Sequence, residues 1–166
     1  EDCTGLVIRT LFSEMHQRAF ALMGFEPRPL DVKDLLTAVA EGTIDAHDNA
    51  LTNIFNFKIY EQHPYITLSS HFFGAAAVLA HGETMATWSP ELRAAVVESV
   101  AVATTAQRAL AAAEDAVVLE RLSAHGNQVH TLTGEEHAAF VESVRPLLEE
   151  QRARFGGELF DLVVNA

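Results

Sequence analysis

The sequence predicts an α/β architecture with a largely parallel sheet. Short β-type runs alternate with helix-type runs in the order β-α-β-α-β-α-β-β-α-β-α. The helical runs keep their apolar residues on one face and stop at glycine. Apolar residues make up 49% of the 166 positions, enough for a real core.

LVIRT (6–10) is the first strand-like run. Ser13 opens SEMHQRAFALMG, with Met15, Ala19, Leu22 and Met23 on one helical face and Gly24 as the stop. FEPRPL (25–30) holds two prolines, so it is an edge strand or an extended connector, not a central strand. Asp31 caps VKDLLTAVAE, where Val32, Leu35, Leu36 and Val39 follow helical spacing up to Gly42.

TIDA (43–46) is a short strand, and NALTNIFNFKIY (49–60) reads as a helix. YITLSS (65–70) alternates like a strand, and HFFGAAAVLA (71–80) contains another extended run. Ser89 and Pro90 pair a cap with an N1 proline. No breaker follows before Gly126, so that helix is about 35 residues long and either kinks or spans two lobes. NQVHTLT (127–133) is the last strand. Thr133 and Glu136 form a capping box for a helix over 134–153, which Pro146 kinks. A short helix follows Gly156-Gly157. No repeat or low-complexity linker separates these elements, and the alanine-rich stretch near 109–116 favours helix.

The net charge of −12 argues against nucleic acid and against an anionic membrane surface. It leaves anionic ligands open, because one buried arginine can hold a carboxylate. Cys3 stands alone, so no internal disulfide framework exists. A cytosolic protein and a bridge-free periplasmic one both fit. No run of about 18 apolar residues is present, and no signal-peptide pattern opens the chain. Eight histidines invite a metal, yet HxxxH and HExxH spacings are missing. GxSxG, Walker, GxGxxG and CxxC motifs are also missing, so no cofactor is expected.

Ligands of open α/β sheets bind beyond the carboxyl ends of strands. LVIRT ends there with Arg9, TIDA leads to His47, Asp48 and Asn49, and YITLSS leads to Ser70 and His71. Arg9 follows Leu6, Val7 and Ile8, which suggest a buried strand, where a guanidinium is costly without an anion. It either meets a ligand, reaches solvent or pairs with an internal carboxylate. Asn49 caps the following helix or faces a cleft. His71 is a packed histidine beside Phe72 and Phe73 or a ligand contact.

Taken together, these segments resemble the solute-binding receptors of TRAP (tripartite ATP-independent periplasmic) transporters, the DctP-type family. GLVIRT is similar to that family's G-L-K-[IL]-R strand. The stretch from Gly24 to Gly42, the block TIDAHDNALTNIFNFKIYEQHPYITLSSH and the helix start WSPELRAAV also resemble family segments. The spacing from Arg9 to Asn49 agrees with the family, and the likeness runs over essentially the whole chain.

The resemblance implies a periplasmic-binding-protein-like lobe of class II type, with a long helix that spans both lobes in the family. It implies that Arg9 forms a salt bridge with a ligand carboxylate and that Asn49 hydrogen-bonds the ligand. His71 then sits in a polar network at the cleft edge, and Phe12 lines the cleft. Ala46, Asp48 and Ala50 depart from the family's glycine, glutamate and proline. Phe12 replaces a polar residue of some members, and Val32 replaces an aromatic of sialic-acid receptors. These changes point away from sialic acid, toward a smaller or more apolar acid.

By the same resemblance, residues 1–74 are the second-lobe α/β core. Residues 75–115 are a cross-over strand and the first part of the long helix, which belong to the first lobe in the family. Residues 116–166 hold the end of that helix, the return strand and the C-terminal helices. The N-terminal lobe is expected to be missing, so that lobe or a second copy of the chain would cover 75–115. The implied function is periplasmic capture of a small organic acid for TRAP membrane permease subunits, without catalysis. Two alternatives stay open: an α/β enzyme acting on a carboxylate with His47 or His71 as base, and an assembly fragment without ligand.

Overall fold

A computed structural model describes residues 3–164 other than Phe73 and Ala75. The chain divides into two compact units, one of residues 1–69 and 127–166 and the other of residues 70–126.

The first unit begins with β1 (Val7–Thr10), whose burial increases along the strand until Ile8, Arg9 and Thr10 are all enclosed. Helix α1 (Glu14–Leu22) starts where the Ser13 hydroxyl accepts from the His16 N–H at 3.4 Å. β2 (Glu26–Pro29) pairs parallel with β1 at the edge of a three-stranded sheet of order β2-β1-β3. Glu26 and Leu30 donate to the Leu6 and Thr10 carbonyls. Alternate nitrogens in a parallel ladder face away from the partner, so Pro27 and Pro29 sit at the free edge, where a missing N–H costs nothing.

Asp31 Oδ1 caps α2 (Val32–Ala40) by accepting from the Lys33 N–H at 3.0 Å. One face of α2 forms the core with Leu35, Ala38, Val39, Ile44 and Ile59, against which Val7 and Leu30 pack. Leu35 is only 1% exposed and Ile59 fully enclosed. Truncating Leu35 to alanine leaves a cavity at this centre. The expected loss is about 2–5 kcal/mol of stability, read from the urea midpoint.

β3 (Ala46–His47) is very short and lies on the other side of β1. The Asp45 N–H donates to the Val7 carbonyl at 2.8 Å. The Asp45 carboxylate accepts from the Val7 N–H, also at 2.8 Å. The helix expected over 49–60 is shorter: α3 covers Leu51–Asn56. Lys58 then takes a left-handed conformation (φ 56°), and a 3-10 turn follows over Ile59–Glu61. That turn drives Ile59 into the core instead of continuing the helix.

β4 (Tyr65–Leu68) does not join the first sheet. It pairs parallel with β5 (Gln128–Thr131) in a separate two-stranded sheet. The Asn127 side-chain amide fixes this junction by donating to the Tyr60 and Pro64 carbonyls at 3.0 and 3.3 Å.

The capping box of Thr133 and Glu136 starts α6 (Gly134–Ser143) as expected. The continuous helix over 134–153 does not form. Pro146 lies in the first turn of a separate helix, α7 (Arg145–Phe155), where its missing N–H is harmless. Helix α8 (Gly157–Val164) follows. Arg18 on α1 holds Glu150 on α7 through a two-pronged ion pair.

The second unit contains α4 (Gly82–Ala86) and α5 (Pro90–His125). The extended run expected in 71–80 forms no strand among its described residues. Val78 and Leu79 are 71% and 88% exposed, and no strand among the described residues pairs with them. The turn α4 was not expected, and its cap is the ring of His81, which accepts from the Thr84 N–H at 3.3 Å. α5 runs unbroken for 36 residues, from the Ser89 cap to Gly126 at φ 101°. Val118 and Leu122 are buried, whereas Val97, Val102 and Leu110 are exposed.

Candidate functional site

The candidate site lies at the carboxyl ends of β1 and β3, where Arg9 is the buried charge. Its side chain grows from a buried strand position and the residue is 2% exposed. Nε donates to the Leu30 carbonyl at 2.8 Å, which fixes the plane of the guanidinium. No carboxylate of the described residues pairs with it. Arg9 therefore does not reach into solvent. Its nearest strand neighbours are Arg28 and His47, opposite it in the two ladders. A buried guanidinium among such neighbours is costly to desolvate, and an anion lowers that cost.

Asn49 lies two residues beyond β3 and is half-buried. It does not cap α3, since Ala50 occupies the cap position without any side-chain bond. Instead its Oδ1 accepts from Asn53 Nδ2 at 3.3 Å, and its Nδ2 lies 3.3 Å from His47 Nδ1. Phe12, three residues after Arg9, is 74% exposed beyond the strand end. His71 belongs to the second unit, where its ring tilts against Phe72 at 4.6 Å between centroids.

Around Arg9 and Asn49 stand His47 and Asp48 from the same strand end, together with His63 and His16, which carry little sequence signal. His63 stacks on His47 with centroids 5.4 Å apart and planes 19° apart. Burial, chiefly, pushes the His47 imidazole down to about 4; His63 and Arg9 add to this, and Asp48 opposes it. His63 also lies below its ordinary value, mainly through burial. Asp48 Oδ2 is 3.9 Å from His16 Nδ1 on α1. Among the described residues no three His, Cys, Asp or Glu side chains cluster to hold a metal. No helix among them is long and apolar enough to cross a membrane.

This geometry can be set beside known proteins. The DctP family, described as bacterial extracellular solute-binding protein family 7, matches residues 1–154. The chain belongs to the DctP family. Among its relatives is the 2,3-diketo-L-gulonate-binding periplasmic protein YiaO of Escherichia coli. YiaO is 29% identical over 119 residues, which cover 72% of this chain and 36% of YiaO.

Solved DctP-type structures agree with the fold. The sugar acid binding protein DctPAm of Advenella mimigardefordensis, in complex with galactonate, superposes with a TM-score of 0.87 at 26% identity. That likeness covers 99% of this chain and 53% of DctPAm. A TRAP periplasmic solute-binding protein of Pseudomonas aeruginosa with bound L-malate gives a TM-score of 0.81 at 25% identity. It covers 90% of this chain and 52% of the other. The chain thus spans about a third of YiaO and about half of the two solved proteins. The DctP family is one of solute-binding proteins, not of enzymes.

Proposed function

We propose that this chain is the carboxylate-gripping part of a TRAP-type solute-binding receptor. It captures a small organic acid in the periplasm and delivers it to the membrane permease subunits. The observation that supports this most is Arg9, a buried guanidinium with no carboxylate partner among the described residues. With Nε committed to Leu30, the two Nη groups remain to grip a carboxylate in a charge-assisted, two-pronged bond. Asn49 adds an amide contact and Phe12 an apolar wall. The related proteins with galactonate and L-malate bind acids of this chemical class.

The test is a thermal-shift screen with galactonate, L-malate and succinate beside galactitol and malamide. Ligands that bind the folded state raise its melting temperature by mass action. The acids alone are expected to do so. Equal shifts with the neutral analogues would count against an arginine anchor.

The exposed apolar side chains at Val78, Leu79, Val97, Val102 and Leu110 support a second element of the proposal. A companion lobe or a second copy of the chain covers residues 75–115. Light scattering distinguishes the two, since a second copy makes the mass rise with concentration toward a dimer.

A further inference from the structure

Reading Asn49 as a ligand contact leaves open what aims its amide. Asn49 is the middle member of a three-residue chain. Asn53 Nδ2 meets Asn49 Oδ1 on one side, and Asn49 Nδ2 meets His47 Nδ1 on the other, each at 3.3 Å. A carboxamide is asymmetric, so such a chain has only two self-consistent polarities. With Nδ1 of His47 unprotonated, Asn53 donates to Asn49 and Asn49 donates to His47. With a proton on Nδ1, His47 donates to Asn49 Oδ1, and both amides must turn over. His47 sits opposite Arg9 in the β1–β3 ladder, so the choice is made beside the guanidinium.

We propose that His47 is a positioning residue. Its unprotonated Nδ1 sets the polarity of the Asn49 amide, and thereby which edge of that amide meets the carboxylate held by Arg9. The inference rests on the reading of Arg9 and Asn49 given above.

The charged and titratable groups facing His47 are Arg9 on β1, His63 after the 3-10 turn and Asp48 beside it in the chain. Asp48 is itself turned toward His16 on α1, and Asp45 acts on His63. Arg9 and His63 both disfavour a cation at position 47, and Asp48 opposes them. Burial dominates and keeps His47 neutral well below pH 7. One N–H of Asn49 is then spent on His47 and the other is available to a carboxylate oxygen. A protonated His47 would turn that edge of the amide round.

Three substitutions separate aim from bulk. In His47→Asn the side-chain Oδ1 takes the place of Nδ1 and still accepts. In His47→Gln the polar atoms fall near Nε2 instead, and His47→Leu offers no acceptor. Galactonate titrations at pH 7 are expected to show a loss of about tenfold or more in His47→Leu and His47→Gln. His47→Asn should stay within about threefold of wild type. Wild-type affinity should fall as the pH drops toward 4, beyond the fall seen in His47→Asn.

In parallel, 15N spectra of the imidazoles should show His47 as the neutral Nε2–H tautomer at pH 7, without any ligand. A Nδ1–H tautomer or an imidazolium at pH 6 would overturn the inference. So would wild-type affinity in His47→Leu alongside lost affinity in Asn49→Ala, an outcome that leaves the proposed function standing. If the wild-type chain binds none of the screened carboxylates, both readings fall together.

Discussion

Arg9→Ala is expected to cost about a hundredfold or more in affinity for any acid the chain binds. The substitution leaves a carboxylate in a buried place without its cation, a loss of about 3–5 kcal/mol. The ligand-free protein should respond quite differently. There the guanidinium is enclosed, and among the described residues it meets no carboxylate and makes one hydrogen bond, to the Leu30 carbonyl. Losing that bond costs about 1 kcal/mol, and removing an unpaired buried charge offsets it. Binding should therefore collapse while the urea midpoint hardly moves. Arg9→Lys keeps the charge but loses the fork and the Nε bond, so it should restore only part of the affinity. Calorimetric titration and urea unfolding of the same three proteins read both quantities. Equal affinity in Arg9→Ala would remove Arg9 from the site.

The second large effect is on stability in mild acid. The imidazole of His47 is held at about 4 in the folded chain, against an ordinary 6.5. Between these values the unfolded chain binds a proton that the native chain does not, so stability rises with pH there. The contribution is complete above pH 6.5 and is lost as the pH falls through about 4. Each pH unit in this window is worth about 1.4 kcal/mol, so about 2 kcal/mol should disappear between pH 6.5 and 5. His63 is displaced in the same direction and adds to the loss. The lowered carboxyls of Glu136, Glu142, Glu150 and Asp161 give up their contribution only at lower pH, below the usual carboxylate range. Urea midpoints at pH 7, 6 and 5 should fall in wild type and fall less in His47→Asn. A flat profile over that range would mean that His47 is not enclosed as the structure has it.

The fold was legible wherever the signal is local. Ser13, Asp31, Ser89 and Thr133 start helices because a short oxygen-bearing side chain reaches back to the first turn, and each does so in the structure. Pro27 and Pro29 exclude a central strand, because a proline cannot feed a central ladder; of the edge strand and the connector they leave open, β2 is the edge. Where the decision is non-local, the local signal misleads. HFFGAAAVLA has the composition of a strand, but a strand needs a neighbour and its described residues have none. β4 has the right alternation, yet nothing in YITLSS says that its partner is β5, some sixty residues away, and not β1. Pro146 was read as a kink because its position within a helix was unknown; in the first turn it begins one.

The site divides along the same line. The apolar run before Arg9 points to a buried strand, and Arg9 is enclosed with it. The Leu30 carbonyl that orients it comes from the far end of β2 and left no mark in the sequence. Asn49 was read as a possible cap because it precedes a helix. The helix begins one residue later, which frees the amide for Asn53 and His47. His63 reaches His47 only because the 3-10 turn after Lys58 folds the chain back.

The most direct test of the central claim is a crystal structure of the chain with the acid that gives the largest thermal shift. Both carboxylate oxygens are expected on the Nη groups of Arg9, with Nε still on Leu30 and the Asn49 amide donating to the same carboxylate. A carboxylate seated away from Arg9, or an Arg9 turned onto a carboxylate of the protein itself, would contradict it.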